Sequence, residues 1–93
     1  MPLVKTIQKR ISEVERFDVI ITHPDGSDVK DNKDIPKQYS YTNAMAGKFT
    51  VAYWIESRFQ IDFPGYSAVV LDGSGSPVIG QTLLSNVRKT YNG

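Results

Sequence analysis

Acidic side chains recur at every third position between His23 and Asp34, and they have the clearest capacity of any group in this sequence to bind a metal ion. The carboxylates belong to Asp25, Asp28, Asp31 and Asp34. Hard cations such as Ca²⁺ bind several carboxylate oxygens, but the EF-hand loop takes ligands from alternate positions and closes with a glutamate, which this stretch lacks. Lys30 and Lys33 would also repel a cation. We therefore interpret the stretch as a solvated, partly disordered loop and predict no metal site.

His23 is the only histidine, so a catalytic base working near neutral pH would have to be this residue or a carboxylate. It precedes Pro24 at the end of a predicted strand, which is typical of a turn residue. The GxSxG, HExxH and Walker patterns are absent from the sequence. The sequence also contains no cysteine, which excludes disulfides and cysteine-based zinc sites. We predict no catalytic residue, no cofactor and no enzymatic activity.

A glycine-containing stretch, Asp72-Gly73-Ser74-Gly75-Ser76, could cradle a phosphate with its backbone N–H groups if a helix began directly after it. The next residues, 77–79, have the character of a strand instead. A hairpin turn is therefore the favoured interpretation.

Basic residues of the predicted first helix form the first candidate binding feature. They are Lys5, Lys9, Arg10 and Arg16. Lys5 and Lys9 lie one helical turn apart, so both could contact phosphates or an acidic partner. Glu13 and Glu15 dilute the positive charge, and the alternative is a solvated helix face with internal ion pairs.

A second candidate binding feature lies in the predicted loop 31–48, where Tyr39 and Tyr41 follow Lys37. On extended backbone, residues at alternate positions point the same way. Tyrosine suits interfaces because it buries a large area and keeps a polar tip. We predict that Lys37, Tyr39 and Tyr41 bind a partner. The alternative is that both rings cover the underside of the loop and hold it down.

The element that must position these residues is a central helix within 49–63, the stretch with the densest apolar content. Its inward face is predicted from the spacing of Val51, Trp54, Ile55 and Phe59. Thr50 is predicted to cap this helix, with a hydrophobic staple between Phe49 and Trp54. Glu56 and Arg58 fall off the apolar stripe and are expected to face water.

The remaining pattern predicts a single domain, 1–93, of the α+β class. The expected order is α-β-(β)-α-β-β-α, with a small, mainly antiparallel sheet of three to four strands and two to three helices packed on it. The predicted elements are a helix over 4–15, strands over 17–22, 28–30, 66–71 and 77–79, and a last helix capped by Thr82.

Composition narrows the classes of function. Eleven basic and ten acidic residues give a net charge of +1, which argues against the global positive field of a protein that coats nucleic acid. The apolar runs are far shorter than a membrane span, and the first residues lack the pattern of a secretory signal. We expect a soluble, cytoplasmic protein.

In length, in its lack of cysteine and in residues 5–19, KTIQKRISEVERFDV, the chain resembles the small phage-encoded anti-CRISPR proteins, particularly those that act on type I surveillance complexes. The resemblance implies a non-catalytic inhibitor that docks on a Cas protein–guide RNA complex and sterically blocks target DNA binding or nuclease recruitment. It assigns no role to an individual residue. The alternatives are a small nucleic-acid-binding regulator that uses the basic first helix and a structural phage protein.

Overall fold

The computed structural model describes residues 3–30, 32–35 and 37–91. Its first helix, α1, is Val4–Glu15. These bounds match the predicted helix 4–15. Its inward residues are Val4, Ile7, Ile11 and Val14, all buried, as their spacing predicts. Arg16 ends the helix in a left-handed conformation with φ of 66°, and its N–H donates to the Ser12 carbonyl oxygen.

Two antiparallel strands follow from opposite halves of the chain. Strand β1 is Asp18–Thr22 and strand β2 is Ser67–Leu71, with Asp18 opposite Leu71 and Thr22 opposite Ser67. Alternate residues enter the core from each strand, namely Val19, Ile21, Ala68 and Val70. Helices packed with an antiparallel sheet confirm the predicted α+β class.

The sheet of the described residues has two strands, so the predicted three to four strands were too many. The predicted strands 28–30 and 77–79 are reduced to single bridges, Asp28 with Thr22 and Pro77 with Leu71. Between residues 28 and 30 only Val29 is apolar and buried, so little burial supports a strand there. Pro77 has no N–H to donate, and the ladder beside β2 is limited to the two bonds that flank this bridge, from Val78 N to the Val70 carbonyl oxygen at 2.9 Å and from Asp72 N to the Ser76 carbonyl oxygen at 2.8 Å.

The central helix, here called α2, has three consecutive segments: α-helical Val51–Trp54, π-helical Ile55–Phe59 and α-helical Gln60–Asp62. Thr50 caps it as predicted, because its side chain accepts a hydrogen bond of 3.1 Å from Tyr53 N. In the wide turn, Gln60 N donates to the Ile55 carbonyl oxygen five residues back. Trp54 and Phe59 are also five residues apart, so the π turn keeps both rings on the inner face.

The last helix, α3, is Leu84–Lys89. Thr82 was predicted to cap it, but Leu83 occupies the cap position and makes no side-chain capping bond. Thr82 instead uses its carbonyl oxygen to accept a hydrogen bond of 2.9 Å from Val51 N at the start of α2. The segment before α3 therefore runs beside the first turn of α2.

The core lies between α1, α2 and the sheet and centres on Trp54, which has no exposed surface. Phe17 meets Trp54 edge to face, with ring centroids 5.1 Å apart. Phe59 packs between Trp54 and Phe63, at 5.8 and 5.1 Å. Among the helices of the described residues, none is long and apolar enough to cross a membrane.

Candidate interaction surface

The four basic residues predicted on α1 are all exposed. Lys5 and Lys9 lie one turn apart on the side of α1 toward β1. Arg10 lies on the opposite flank, beside Gln38, and Arg16 is at the C-terminal end. The exposed half of α1 therefore carries these four cations together with the carboxylate of Glu13, and we call it the α1 face.

A cleft of about 230 Å³ separates α1 from the segment that contains Gln38 and Tyr39. It is lined by Thr6, Ile7, Lys9, Arg10, Glu13, Gln38 and Tyr39. The structure thus places the two cations Lys9 and Arg10 beside the second region that the sequence singled out.

A second groove, of about 490 Å³, runs between α1 and β1, with Lys5 and Lys9 in its wall. Hydrogen bonds join α1 to β1 here: Ser12 Oγ donates to Asp18 Oδ1 at 2.9 Å, and Ile21 N donates to Gln8 Oε1 at 2.8 Å. Lys9 lies between the two grooves, so it could contact a ligand in either.

Within residues 3–30, 32–35 and 37–91, the ion pairs are those of Glu15 with Arg58 and Arg88 and of Asp62 with Lys37. None of the four basic residues of the α1 face lies within 4.0 Å of a carboxylate in that part of the chain. Of the alternative, a solvated helix face with internal ion pairs, the described residues show the solvated face but not the ion pairs. These cations are available to an external anion.

Tyr39 is in the core, with 3% of its surface exposed, so its ring is not the exposed anchor that the sequence predicted. Its hydroxyl donates to Glu15 Oε2 and accepts a hydrogen bond of 3.0 Å from Trp54 Nε1. Burial and the adjacent carboxylate raise the pKa of Tyr39 above its usual range. The alternative interpretation, that this ring holds the loop down, is the one that the structure supports.

Tyr41 is half-buried, and the Arg58 guanidinium lies 4.5 Å from its ring centroid. Lys37 is exposed, and its Nζ is 3.7 Å from Asp62 Oδ1. Both therefore keep some surface that a partner could contact, and their role in binding stays a prediction.

The sequence analysis did not predict that Glu15 is buried and forms ion pairs with two arginines. Its side chain has no exposed surface and is surrounded by donors: Arg58 Nη1 at 2.6 Å, Arg88 Nη2 at 3.4 Å and Met45 N at 2.9 Å. A signal was present, because Glu15 follows Ile11 by four residues and so falls on the buried face of α1. A fully buried carboxylate needs such partners.

Arg58 was expected to face water, but its side chain is only 18% exposed and points inward to Glu15. It also donates to the Asn43 carbonyl oxygen. Arg58 lies in the π segment, whose wider turn places residues differently from the regular helix on which the prediction was based.

The predicted loop is tied down by two buried carboxylates. Asp62, 5% exposed, accepts hydrogen bonds from Ser40 N at 2.7 Å and Ser40 Oγ at 2.9 Å. Glu15 holds the same segment at Tyr39 and Met45. We call residues 37–45 the strap, because it is fixed across α1 and α2 at these points.

His23 and its neighbouring aspartates form a turn, as predicted. The His23 ring stacks on Tyr66 with centroids 6.0 Å apart, and Asp25 Oδ1 accepts from Ser27 N at 2.9 Å. The hydrogen bonds from Ser27 lower the pKa of Asp25. Asp31 lies outside the described residues, and the residues that are described contain no group of three or more His, Asp or Glu side chains arranged to hold a metal.

The glycine-containing stretch is also a turn. Asp72 Oδ1 accepts hydrogen bonds from Ser74 N at 2.9 Å and Ser76 N at 3.0 Å. The hydrogen bond from the Ser74 hydroxyl, together with these two backbone bonds, lowers the pKa of Asp72. Gly73 N donates to Thr90 Oγ1 and Gly75 N to the Asp72 carbonyl oxygen, so the backbone donors that a phosphate would need are already bonded within the protein.

Comparison with known proteins adds no relative to this description. No family model matches the chain, and neither the curated proteins nor the solved structures contain a significant match.

Proposed function

We propose that this protein is a non-catalytic inhibitor that binds an anionic surface through the α1 face and acts by steric occupation. The observation that carries the proposal is the set of exposed cations on α1, Lys5, Lys9, Arg10 and Arg16, which have no carboxylate partner among the described residues. The two remaining arginines, Arg58 and Arg88, turn inward to Glu15. Two sets of cations thus have separate roles.

The titratable groups that could have served catalysis have structural partners, which supports a binding role. His23 stacks on Tyr66 in a turn, and Glu15 and Asp62 accept hydrogen bonds that hold the strap. The accessible surface of 5497 Å² can supply the roughly 800 Å² per partner of a specific interface.

The resemblance to anti-CRISPR proteins supplies the target class. The partner in this proposal is a type I Cas protein–guide RNA complex in the host cytoplasm, and the bound protein blocks target DNA binding or nuclease recruitment. The exposed cations suit a surface where RNA phosphates or acidic side chains are presented.

The second candidate function is a direct nucleic-acid binder, favoured by the groove between α1 and β1, where Lys5 and Lys9 could contact backbone phosphates. Glu13 and Asp18 lie in the same groove and would repel a phosphate, and the net charge is only +1. Because of these charges, direct binding of nucleic acid is the second candidate function.

The test measures binding of the full chain to a purified type I surveillance complex and to naked RNA and duplex DNA. Lys9→Glu with Arg10→Glu should raise the Kd for the complex by about tenfold or more, since both charges meet an anionic surface. Lys89→Glu, which reverses one charge at an exposed position on α3, is the control for Lys9→Glu and for Arg10→Glu made singly, and it should leave the Kd unchanged.

Naked RNA or DNA should bind weakly. Tight binding to naked nucleic acid that weakens steeply with salt would favour the second candidate instead. Equal effects of the α1 variant and the control would remove the α1 face from the proposal.

A further inference from the structure

Exposed apolar side chains concentrate where α2 begins. Tyr53 is 47% exposed, Leu83 is 38% exposed, and Ile79, at 71%, is the most exposed of the large apolar residues described. Scattered apolar residues on a surface are ordinary, but a contiguous group marks an interaction site.

Ring stacking and backbone hydrogen bonds connect the segments that carry these residues. The Phe49 and Tyr53 rings stack with centroids 4.7 Å apart and an angle of 17°. Ala52 N donates to the Gly80 carbonyl oxygen at 2.9 Å, which places the residue after Ile79 directly against α2. Leu83 forms a bridge with Thr50. We call this surface the α2 patch; it comprises Phe49, Ala52, Tyr53, Ile79 and Leu83.

Gly80 and Ala52 lie side by side within the α2 patch. A Cβ atom added to Gly80 would lie 3.1 Å from the Ala52 Cβ atom, so small residues meet there at close range. Bulky side chains surround this pair, and another surface could approach it closely.

Opposite charges mark the two ends of the α2 patch. Lys48 Nζ lies 5.3 Å from the Phe49 ring centroid at the start of α2. Glu56, exposed, follows Ala52 by four residues. Trp54 and Ile55, which lie between them, keep regular α-helical angles (φ −60° for both, ψ −44° and −47°), so Glu56 lies on the same side of α2, one turn further along. Neither residue forms an ion pair within the described part of the chain.

We propose that the α2 patch is the interface of a homodimer, in which two copies pack their α2 helices antiparallel about a twofold axis near Ala52. A twofold interface joins one surface patch to itself, so each residue meets a counterpart from the other end. Lys48 of one copy then faces Glu56 of the other, and the pair occurs twice.

The charge pattern of the α2 patch favours a second copy of this chain as its binding partner. A patch with a cation at one end, an anion at the other and apolar residues between is complementary to its own rotated copy. This surface uses none of the cations of the α1 face, so the inference is independent of the proposed function.

The test is sedimentation velocity of the full chain from micromolar to millimolar concentration. We expect a reversible dimer. Lys48→Glu and Glu56→Lys should each raise the dimer Kd by about tenfold, because each replaces two attractions by two repulsions, and the double variant should restore it. Ile79→Lys should also weaken the dimer, whereas Ile61→Lys, 64% exposed outside the α2 patch, should not.

All these positions are exposed, and a thermal melt of each variant confirms that it folds. A wild-type chain that stays monomeric at millimolar concentration would overturn the proposal and leave the α2 patch to a different protein. A dimer whose Kd is insensitive to both charge reversals would overturn it as well, because the two copies would then meet elsewhere.

Discussion

Arg58 Nη1 lies 2.6 Å from Glu15 Oε2, although the two residues are 43 positions apart in the chain. This contact joins the end of α1 to the π segment of α2. Arg88 of α3 reaches the same carboxylate at 3.4 Å and donates through Nε to the Glu15 carbonyl oxygen at 2.8 Å. The buried Glu15 carboxylate therefore connects α1, α2 and α3.

Replacing Glu15 by Gln should destabilise the protein strongly, because two arginines would lose the carboxylate that compensates their desolvation. Breaking a buried pair costs about 3 kcal/mol or more, and the partial exposure of both arginines places the expected loss near the lower end, at about 3 kcal/mol. Urea unfolding followed by the fluorescence of Trp54 measures it. Glu13→Gln, the same change at an exposed position of α1, should stay within about 0.5 kcal/mol of wild type. Equal stability of the two variants would contradict a structural role for Glu15.

Tyr39→Phe should reduce the free energy of unfolding by about 1–3 kcal/mol, because the buried Trp54 Nε1–H and Glu15 would each lose a hydrogen-bond partner. Tyr41→Phe is the matched control. The Tyr41 hydroxyl lies 3.5 Å from the Ser57 carbonyl oxygen, at the limit of a hydrogen bond, so its loss should cost little. If the Tyr41 variant were the less stable of the two, the assignment of Tyr39 to the core network would be wrong.

Alkaline pH provides a separate test of Tyr39. Its folded pKa is raised, so above the usual tyrosine pKa of about 10 the unfolded chain releases this proton while the folded chain keeps it. The unfolded state then binds fewer protons, and the free energy of unfolding falls as pH rises. The slope between pH 9 and 11, measured by urea titrations at each pH, should be steeper for wild type than for Tyr39→Phe. Identical slopes would show that Tyr39 titrates alike in both states.

Local periodicity was enough to predict the elements whose buried face is defined by regularly spaced apolar residues. The bounds 4–15 of α1 and the position of β1 and β2 follow from Ile7, Ile11, Val19 and Val70. What could not be predicted depends on contacts between distant residues. Glu15 and Arg58 belong to α1 and α2, and no local sequence pattern predicts that they form an ion pair.

The candidate site was predicted only in part, for a related reason. Exposure of Lys9 and Arg10 follows from their position on α1, so their availability could be read from the sequence. The burial of Tyr39 could not, because extended backbone gives the side on which a ring lies but not which side meets the core. Hydrogen bonds of the Tyr39 hydroxyl with Glu15 and Trp54 hold the ring on the core side.

Capping of α2 offers a test in which two threonines are exchanged for alanine. Thr50→Ala removes the acceptor for Tyr53 N and should lower the free energy of unfolding by about 1 kcal/mol. Thr82→Ala, at the position that the sequence suggested as a cap for α3, should cost much less, because α3 has no side-chain capping bond. Urea midpoints of the two variants decide between them, and a larger loss at Thr82 would contradict the observed caps.

The strap should loosen when Asp62 is replaced by alanine, because Ser40 would lose the acceptor of both its backbone and its side-chain hydrogen bond. Hydrogen exchange at residues 38–43 should then become faster by at least about tenfold, since the segment keeps its attachment through Glu15 but loses the one through Asp62. Gln60→Ala changes an exposed neighbour on α2 and should leave exchange in the strap unaltered. Exchange measured by mass spectrometry gives the comparison. If the Asp62 variant exchanged at the wild-type rate, Tyr39 and Met45 alone would be sufficient to hold the strap, and Asp62 would have no part in ordering it.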